Sequence, residues 1–180
     1  MPPRVLVHVC CGPCAIYPLQ ALREQGYQVM GLFYNPNIHP LQEYLLRREA
    51  LQEVARRLEV KIIYLDKEYD PRGFLRQIVF REDWRCFLCQ QMRLERTRLV
   101  AQRGGFDFFS TTLLSSKKQP HEQVKRLGHT LERSQCGFLY QDFRGGGNYA
   151  EKDEGMHTEI YRQNYCGCIY SELERFKNRL

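Results

Sequence analysis

The sequence predicts an α/β protein. A single Rossmann-like domain is expected, its mostly parallel sheet carrying helices on both faces. A helical and loop extension at the C-terminus is expected to lie over the sheet's carboxyl edge. Three observations carry this. Val5-Leu6-Val7-His8-Val9 is a β-branched run that reads as a buried strand, and Ala15 to Gln25 behind it reads as a helix ended by Gly26. Strand-like and helix-like segments then alternate, the pattern of parallel strands joined by right-handed crossovers. No stretch approaches the roughly 18 to 20 apolar residues of a membrane span, and Met1 to Val9 is too short an apolar run for a secretory signal.

Each further element has its own local reason. Gln28 to Tyr34 reads as the second strand, and Asn35-Pro36-Asn37-Ile38 as the loop leaving it. Pro40 suits the first turn of a helix running to about Glu59, with Leu41, Leu45, Leu51, Val54, Ala55 and Leu58 as its apolar stripe. Glu43–Arg47 and Glu53–Arg57 are i,i+4 pairs expected on its wet side. Lys61 to Leu65 is a short third strand. Asp70-Pro71 opens a helix as cap and first residue, with Phe74, Leu75, Ile78 and Val79 inward. The next helix begins at Cys86, continues to about Arg103 and stops at Gly104-Gly105. Phe106 to Thr112 is expected as the fourth strand, followed by a helix from roughly Pro120 to Arg133. Beyond Phe143 the pattern weakens. Arg144 to Asn148 is a glycine-rich loop, a helix is expected through Tyr161-Arg162-Gln163, and Ser171 caps a final basic helix to Leu180. No linker is visible, so residues 1–180 are expected to form one domain, with about 140–180 completing the active site.

The turn after the first strand reads Cys10-Cys11-Gly12-Pro13-Cys14. In open α/β sheets ligands bind at that carboxyl edge. A phosphate loop there is rich in glycine; this one is rich in sulfur, which favours soft metals. Of eight cysteines, seven fall into the groups Cys10/Cys11/Cys14, Cys86/Cys89 and Cys166/Cys168, and only Cys136 stands alone. The chain is expected in the cytoplasm, where grouped thiols point to metal binding or catalysis and not to structural disulfides. With 43% hydrophobic and 27% charged residues the chain is an ordinary globular sequence, without repeats or low-complexity tracts. Its net charge of +6 permits a nucleic-acid partner without requiring one.

Cys86-x-x-Cys89 puts two thiols on one helical face, which continues through Arg93 and Arg96. With Cys10 and Cys11 they make a four-thiolate set that suits zinc or an iron–sulfur cluster, and spacing does not separate the two. The surplus of Cys14, Cys166 and Cys168 argues against plain structural zinc. Arg93 and Arg96 are candidates to offset thiolate charge or meet a phosphate; the bland alternative is solvated helix surface. Cys166-Gly167-Cys168 suits either an easily reduced disulfide or a further metal site. Asp142 and the loop from Arg144 could form a polar mouth or a plain turn. Tyr149, Tyr161 and Tyr165, interleaved with Lys152 and Arg162, suit base stacking or simple packing. His8 alternates with valines and reads as a satisfied core histidine, and Cys136 as an inert buried thiol.

These residues carry a family likeness. The stretches are Val7 to Cys14, Phe33-Tyr34-Asn35-Pro36-Asn37-Ile38, Tyr69-Asp70-Pro71, Arg85-Cys86-Phe87-Leu88-Cys89, Ser110 to Leu114, Asp142-Phe143-Arg144 and Tyr161 to Cys168. On them the chain resembles the epoxyqueuosine reductase QueH family over nearly its full length. It departs at Lys117-Lys118, where a proline is expected after Ser115-Ser116. A more distant similarity, to PP-loop (HUP-like) ATP-dependent enzymes, supports the Rossmann-like fold. Those enzymes carry Ser-Gly-Gly-x-Asp-Ser where this chain has its cysteines, which argues against ATP use.

The resemblance implies reduction of epoxyqueuosine to queuosine in tRNA. It implies a 4Fe–4S cluster on Cys10, Cys11, Cys86 and Cys89, a redox-active disulfide of Cys166 and Cys168, and an additional mononuclear iron next to the cluster, for which Cys14 with one of Cys10 or Cys11 are the candidate ligands. Arg93, Arg96, Arg144, Tyr149 and Arg162 are the candidate tRNA contacts, the proton donor is open between Asp142, a tyrosine and a bound water, and an unidentified electron donor is implied. Removing an epoxide oxygen takes two electrons that side chains alone do not supply, so a cofactor is expected. Two other classes compete with this expectation: a zinc-bound, non-catalytic tRNA-binding module, and a general dithiol oxidoreductase.

Overall fold

Arg4–His8 forms β1, a strand whose Val5, Leu6 and Val7 are all fully buried. A run without polar alternation is what a strand covered on both faces requires. The computed structural model describes residues 1–145 and 160–179. It adds β2 (Gln28–Phe33), β3 (Ile62–Tyr64), β4 (Phe108–Thr111) and β5 (Gly137–Phe138). The sheet order is β3-β2-β1-β4-β5, every pair parallel, with His8 opposite both Leu32 and Thr111. The helices are α1 (Gly12–Glu24), α2 (Leu41–Leu58), α3 (Pro71–Ile78), α4 (Arg85–Arg103), α5 (His121–Thr130) and α6 (Ile169–Phe176).

Right-handed crossovers dictate which face each helix takes. The chain steps one way from β1 to β3 and then jumps back to β4 and β5. α1 and α2 therefore share one face and pack together, while α4 and α5 pack on the other. The step reverses between β1 and β4, and such a switch point opens a crevice at the carboxyl ends of the strands. The segments leaving it are Cys10–Cys14 and Thr112–Ser116.

The expected elements are present, with four departures beyond Val79, which ends α3 as its C-cap and is exposed instead of inward. β5 is two residues long, too short to show alternation, and exists because it extends the sheet from β4. No helix runs through Tyr161-Arg162-Gln163; residues 160–168 form an irregular strap. Backbone and side chains tie this strap down. His39 N donates to Gly167 O at 2.7 Å, and the Arg47 guanidinium donates to Tyr165 O at 2.9 Å and to Cys166 O at 2.8 Å. Ser171 lies inside the first turn of α6, whose cap position is Cys168; its hydroxyl donates to Cys168 O and accepts from Gly167 N.

The fourth departure concerns α2. Leu41 and Leu45 are exposed, and the buried face runs through Glu43, Tyr44, Arg47, Ala50, Leu51, Val54 and Leu58. Glu43 and Arg47 are thus not on the wet side: their side chains are 7% and 1% exposed. Arg47 Nε donates to Glu43 at 2.7 Å, and Tyr161 donates to the other carboxylate oxygen. Breaking one half of a buried pair leaves a charge without partner, at a cost of about 3–5 kcal/mol. Arg47→Met is expected to lose stability on that scale in denaturant titrations. Glu43→Leu/Arg47→Met should recover much of it; a double variant as weak as the single would show that the strap contacts, not the pair, dominate.

His39 anchors the strap's other side. It is buried against Phe74, ring centroids 5.6 Å apart, and neither ring nitrogen has a well-aligned hydrogen-bond partner among the described residues. Burial lowers its pKa below the ordinary 6.5. The folded chain therefore holds His39 neutral where the unfolded chain takes up a proton. Its contribution is intact above pH 6.5 and is lost as pH falls below it. His39→Phe should flatten the acid side of the stability–pH curve by up to one proton; an unchanged slope would exclude His39 as the source.

Candidate metal centre and active site

The turn leaving β1 concentrates sulfur at the switch point. Cys11 is the N-cap of α1, in extended backbone, and Pro13 stands in the first turn. Gly12 is dictated by packing, since a Cβ there would sit 2.7 Å from the Ala50 carbonyl of α2. The Sγ atoms of Cys10, Cys11 and Cys14 all lie within 4.8 Å of one another. The positive end of α1 favours thiolate at this place.

The surrounding groups are donors and cations. Thr112 Oγ1 donates to Cys10 Sγ at 3.4 Å, and Gln163 Nε2 donates to Cys11 Sγ at 3.0 Å and Cys14 Sγ at 3.4 Å. Hydrogen bonds from Cys11 and Cys14 pull the Cys10 thiol well below its ordinary range. Burial pushes Cys11 up, and the Cys10 interaction pushes Cys14 up. Within the trio, Cys10 is thus the thiol that ionises most readily. Arg47 and Arg93, both buried, supply the opposing charge. Burial alone would lower Arg47's pKa, but the Cys11 thiol and Glu43 raise it.

Two cavities adjoin at this point. One, about 220 Å³, is lined by Cys10, Cys14, Arg47, Thr112, Gln163 and Cys166. The other, about 360 Å³, is lined by Cys86, Cys89, Cys166 and Cys168 with Arg85 and Arg175. Arg93, Lys118, Gln119, Asn164, Tyr165 and Cys166 face both. Helical spacing on α4 puts Cys86 and Cys89 on one wall. Burial raises the pKa of both, Cys89 to about 12, so any metal bound there must displace protons.

The third group arrives on the strap. Gly167 sits at φ +147°, backbone that a side chain resists, and a Cβ would come 3.1 Å from Ile38. That turn sets Cys166 and Cys168 on the cavity wall. Gln119 Nε2 lies 3.6 Å from Cys166 Sγ, and amides hold it there: Gln123 donates to Gln90 at 2.9 Å and Gln90 to Gln119 at 2.8 Å.

The remaining candidate residues divide. Arg93 lines both cavities but is buried, its Nε donating to Cys89 O at 3.0 Å; its place is beside the thiols and not on an outer surface. Arg96 turns away, pairs with Glu68 and lines a separate recess with Tyr34 and Leu88. Arg144 and Arg162 line a third recess, about 260 Å³, together with Cys14 and Ser115. Asp142 is exposed and paired to Arg144, whose hydrogen bonds hold its carboxyl well below the usual range. A carboxyl kept ionised is a poor proton donor in this state. Tyr149 and Lys152 lie outside the described residues. Tyr161 donates to Glu43, and burial pushes its pKa up to about 12; Tyr165 donates to His39 O. Both hydroxyls are engaged inside the fold.

His8 is a satisfied core residue. Its Nδ1 meets Thr111 Oγ1 at 3.1 Å and its Nε2 meets Asn35 Oδ1 at 3.1 Å, and burial lowers its pKa to about 4. Cys136 is buried in the main core, and burial raises its pKa.

Arg47, Gln119 and Gln163 escaped the sequence reading. For Arg47 a signal existed: Tyr44, Arg47, Leu51, Val54 and Leu58 follow a 3-4-3-4 spacing, a single helical face containing one charge. For the two glutamines no local signal exists.

Comparison with known proteins yields a consistent result. A family profile described as epoxyqueuosine reductase QueH matches residues 5–174. A protein of that name from Dehalococcoides mccartyi is 34% identical over 178 residues, covering 98% of this chain and 96% of the relative. One from Thermotoga maritima is 37% identical over 181 residues, covering 95% and 91%. Among solved structures, the U34-tRNA thiolase NcsA from Methanococcus maripaludis, with its 4Fe–4S cluster, overlaps 98% of this chain at 12% identity. Its TM-score is 0.44 and it covers 80% of that chain.

Proposed function

This chain belongs to the epoxyqueuosine reductase QueH family, and from that membership we propose that it removes the epoxide oxygen of epoxyqueuosine in tRNA to give queuosine. The observation that carries the proposal is the meeting of three cysteine groups, from three distant segments, around two adjoining cavities.

In this reading Cys10, Cys11, Cys86 and Cys89 hold a 4Fe–4S cluster, and Cys14 faces a separate mononuclear iron. The donor set suits such groups: soft thiolates, one of them already favoured as an anion, with buried Arg47 and Arg93 to offset charge. Bound there, the irons supply single electrons and a Lewis acid for the epoxide oxygen. The chain's own residues do the rest. Thr112 and Gln163 hold the thiols in orientation through hydrogen bonds. Arg47 fixes the strap so that Cys166 reaches both cavities. Oxidation of Cys166 and Cys168 to their disulfide releases two electrons and two protons. Converting an epoxide to an alkene and water consumes the same number. An external donor then has to return the pair of electrons, and a redox-active dithiol is where it would deliver them.

The substrate base lies in a single-stranded anticodon loop, so no duplex has to open. Lys118, Arg85 and Arg175 on the cavity walls, with Arg144 and Arg162 by the third recess, are the cations suited to phosphates. Binding to tRNA is expected to weaken steeply as salt rises, because each neutralised phosphate releases counterions. Such an enzyme works in the cytoplasm with its tRNA; among the described residues no helix is long and apolar enough to cross a membrane.

The test is direct. Protein reconstituted without oxygen is expected to be coloured, to contain iron and labile sulfide, and to convert epoxyqueuosine tRNA to a product lighter by one oxygen. A colourless zinc protein that binds tRNA without turnover would make it a binding module. Reduction of small disulfides without any need for iron would make it a general dithiol oxidoreductase.

A further inference from the structure

The turn between α3 and α4 holds two large aromatic rings out in water, and Trp84 leads directly into Arg85 and Cys86 of the cysteine cavity. Phe80 is 94% exposed and Trp84 65% exposed. Phe80 also sits at φ +60°, a left-handed conformation that is an outlier for a bulky side chain. The turn is not slack. Phe80 N donates to Glu82 at 3.1 Å, Arg81 N to Ile78 O at 2.9 Å and Trp84 N to Arg81 O at 2.9 Å. Trp84 meets Phe87 edge-on, ring centroids 6.3 Å apart, leaving most of its surface open. Folding gains nothing from holding a ring outward in disfavoured backbone, and strain of that kind concentrates where it serves a ligand.

Position and charge indicate which ligand. Trp84 is two residues from Cys86, so their Cα atoms are within about 8 Å by chain length alone. The cavity beyond is lined by Arg85, Arg93, Lys118 and Arg175 against the single carboxylate of Glu174. Flat aromatic faces on the segment that leads into a cationic cavity are the chemistry of single-stranded nucleic acid: bases stack on the rings while phosphates meet the cations. Arg81 beside Phe80 is exposed and adds a further cation.

We propose that Phe80 and Trp84 form a stacking platform for unpaired bases next to the base held in the cavity. This rests on the reading of RNA as substrate and adds the surface that positions its loop.

Trp84 is the only tryptophan of the chain, so its fluorescence reports on this surface alone. The reconstituted protein would be titrated with an unmodified anticodon stem-loop RNA and with an RNA duplex of equal length. Saturable quenching by the stem-loop, and little by the duplex, is expected. In anisotropy titrations with labelled stem-loop, Phe80→Ala and Trp84→Leu should each weaken binding about 5- to 150-fold, the range of one lost stack. Phe80→Asn should bind equally poorly while melting no lower than the parent, because asparagine tolerates left-handed backbone. Melting curves therefore separate lost contact from lost folding.

If the parent binds stem-loop and converts epoxyqueuosine tRNA but the variants bind as it does, the platform is wrong and the substrate reading stands. Equal quenching by duplex would reduce the surface to phosphate contact and overturn stacking. Quenching only on addition of a flavoprotein electron donor would assign the rings to that donor. A parent that neither binds stem-loop nor acts on tRNA would overturn both readings.

Discussion

Serine at Cys11 is expected to strip the protein of most of its iron and sulfide and to lower turnover by at least about 100-fold. The residue has no exposed surface, caps α1 and lies in the closest thiol group among the described residues. A hydroxyl there is a hard, weakly acidic donor where a soft thiolate is needed. Loss of residues that only orient metal ligands already costs about 10- to 100-fold, so loss of a ligand should cost more. The same substitution at Cys10, Cys86 and Cys89 should behave alike. Cys14→Ser is the informative partner, because Cys14 packs with Cys10 and Cys11 whereas Cys86 and Cys89 line the adjoining cavity. If Cys14 serves a separate iron, its variant should keep labile sulfide and lose only part of the iron. Full loss of sulfide from Cys14→Ser, with full retention in Cys86→Ser, would move the cluster onto the triad. Cys136→Ser is the control: buried in the main core and outside the linings of both cysteine cavities, it should leave iron and turnover nearly unchanged.

Cys166→Ser and Cys168→Ser are expected to keep their iron and to bind tRNA, yet to lose multiple turnover by about 100-fold or more. Both thiols line the larger cavity, and Gly167 between them turns the backbone so that each faces it. A dithiol with a single intervening residue closes a strained ring on oxidation, which makes it easy to reduce again. It can hold the two electrons of one deoxygenation, whereas a serine variant cannot. The effect should therefore fall on the steady state: a pre-reduced variant, left with the single electrons that its cluster and separate iron would each hold, should convert no more than one equivalent and stop. Absent colour in either variant would instead put the pair in the metal site, and normal repeated turnover in both would remove it from the electron path. Gln119 offers a milder version. Gln119→Leu takes away the amide beside Cys166 and should change the rate of Cys166 alkylation at a fixed pH without changing iron content.

Much of this was legible along the chain. The β-branched run Val5–Val9, the caps at Asp70 and Gly104 and the alternation of elements are local signals, and each reports on backbone within a few residues. The family stretches and the order of the cysteine groups specify the chemistry for the same reason: residue type and spacing are written in the sequence itself. Cys136 and His8 were also readable as core residues, Cys136 because no partner stands near it in sequence and His8 because it alternates with valines in a strand.

Burial by a distant segment is not local, and there the tertiary structure decided. Arg47 and Glu43 look like a solvated i,i+4 pair until the strap, 119 residues further on, covers them and takes two hydrogen bonds from the guanidinium. The Tyr161–Gln163 stretch has helical composition, but its groups are claimed by Glu43 and by the thiols of Cys11 and Cys14, and such claims outweigh weak local propensity. The same holds for the site. The sequence by itself determined which thiols exist and in what groups. Only the reversal of strand order between β1 and β4, with the strap drawn across it, determined that Cys166 faces both the cavity at Cys10 and Cys14 and the one at Cys86 and Cys89.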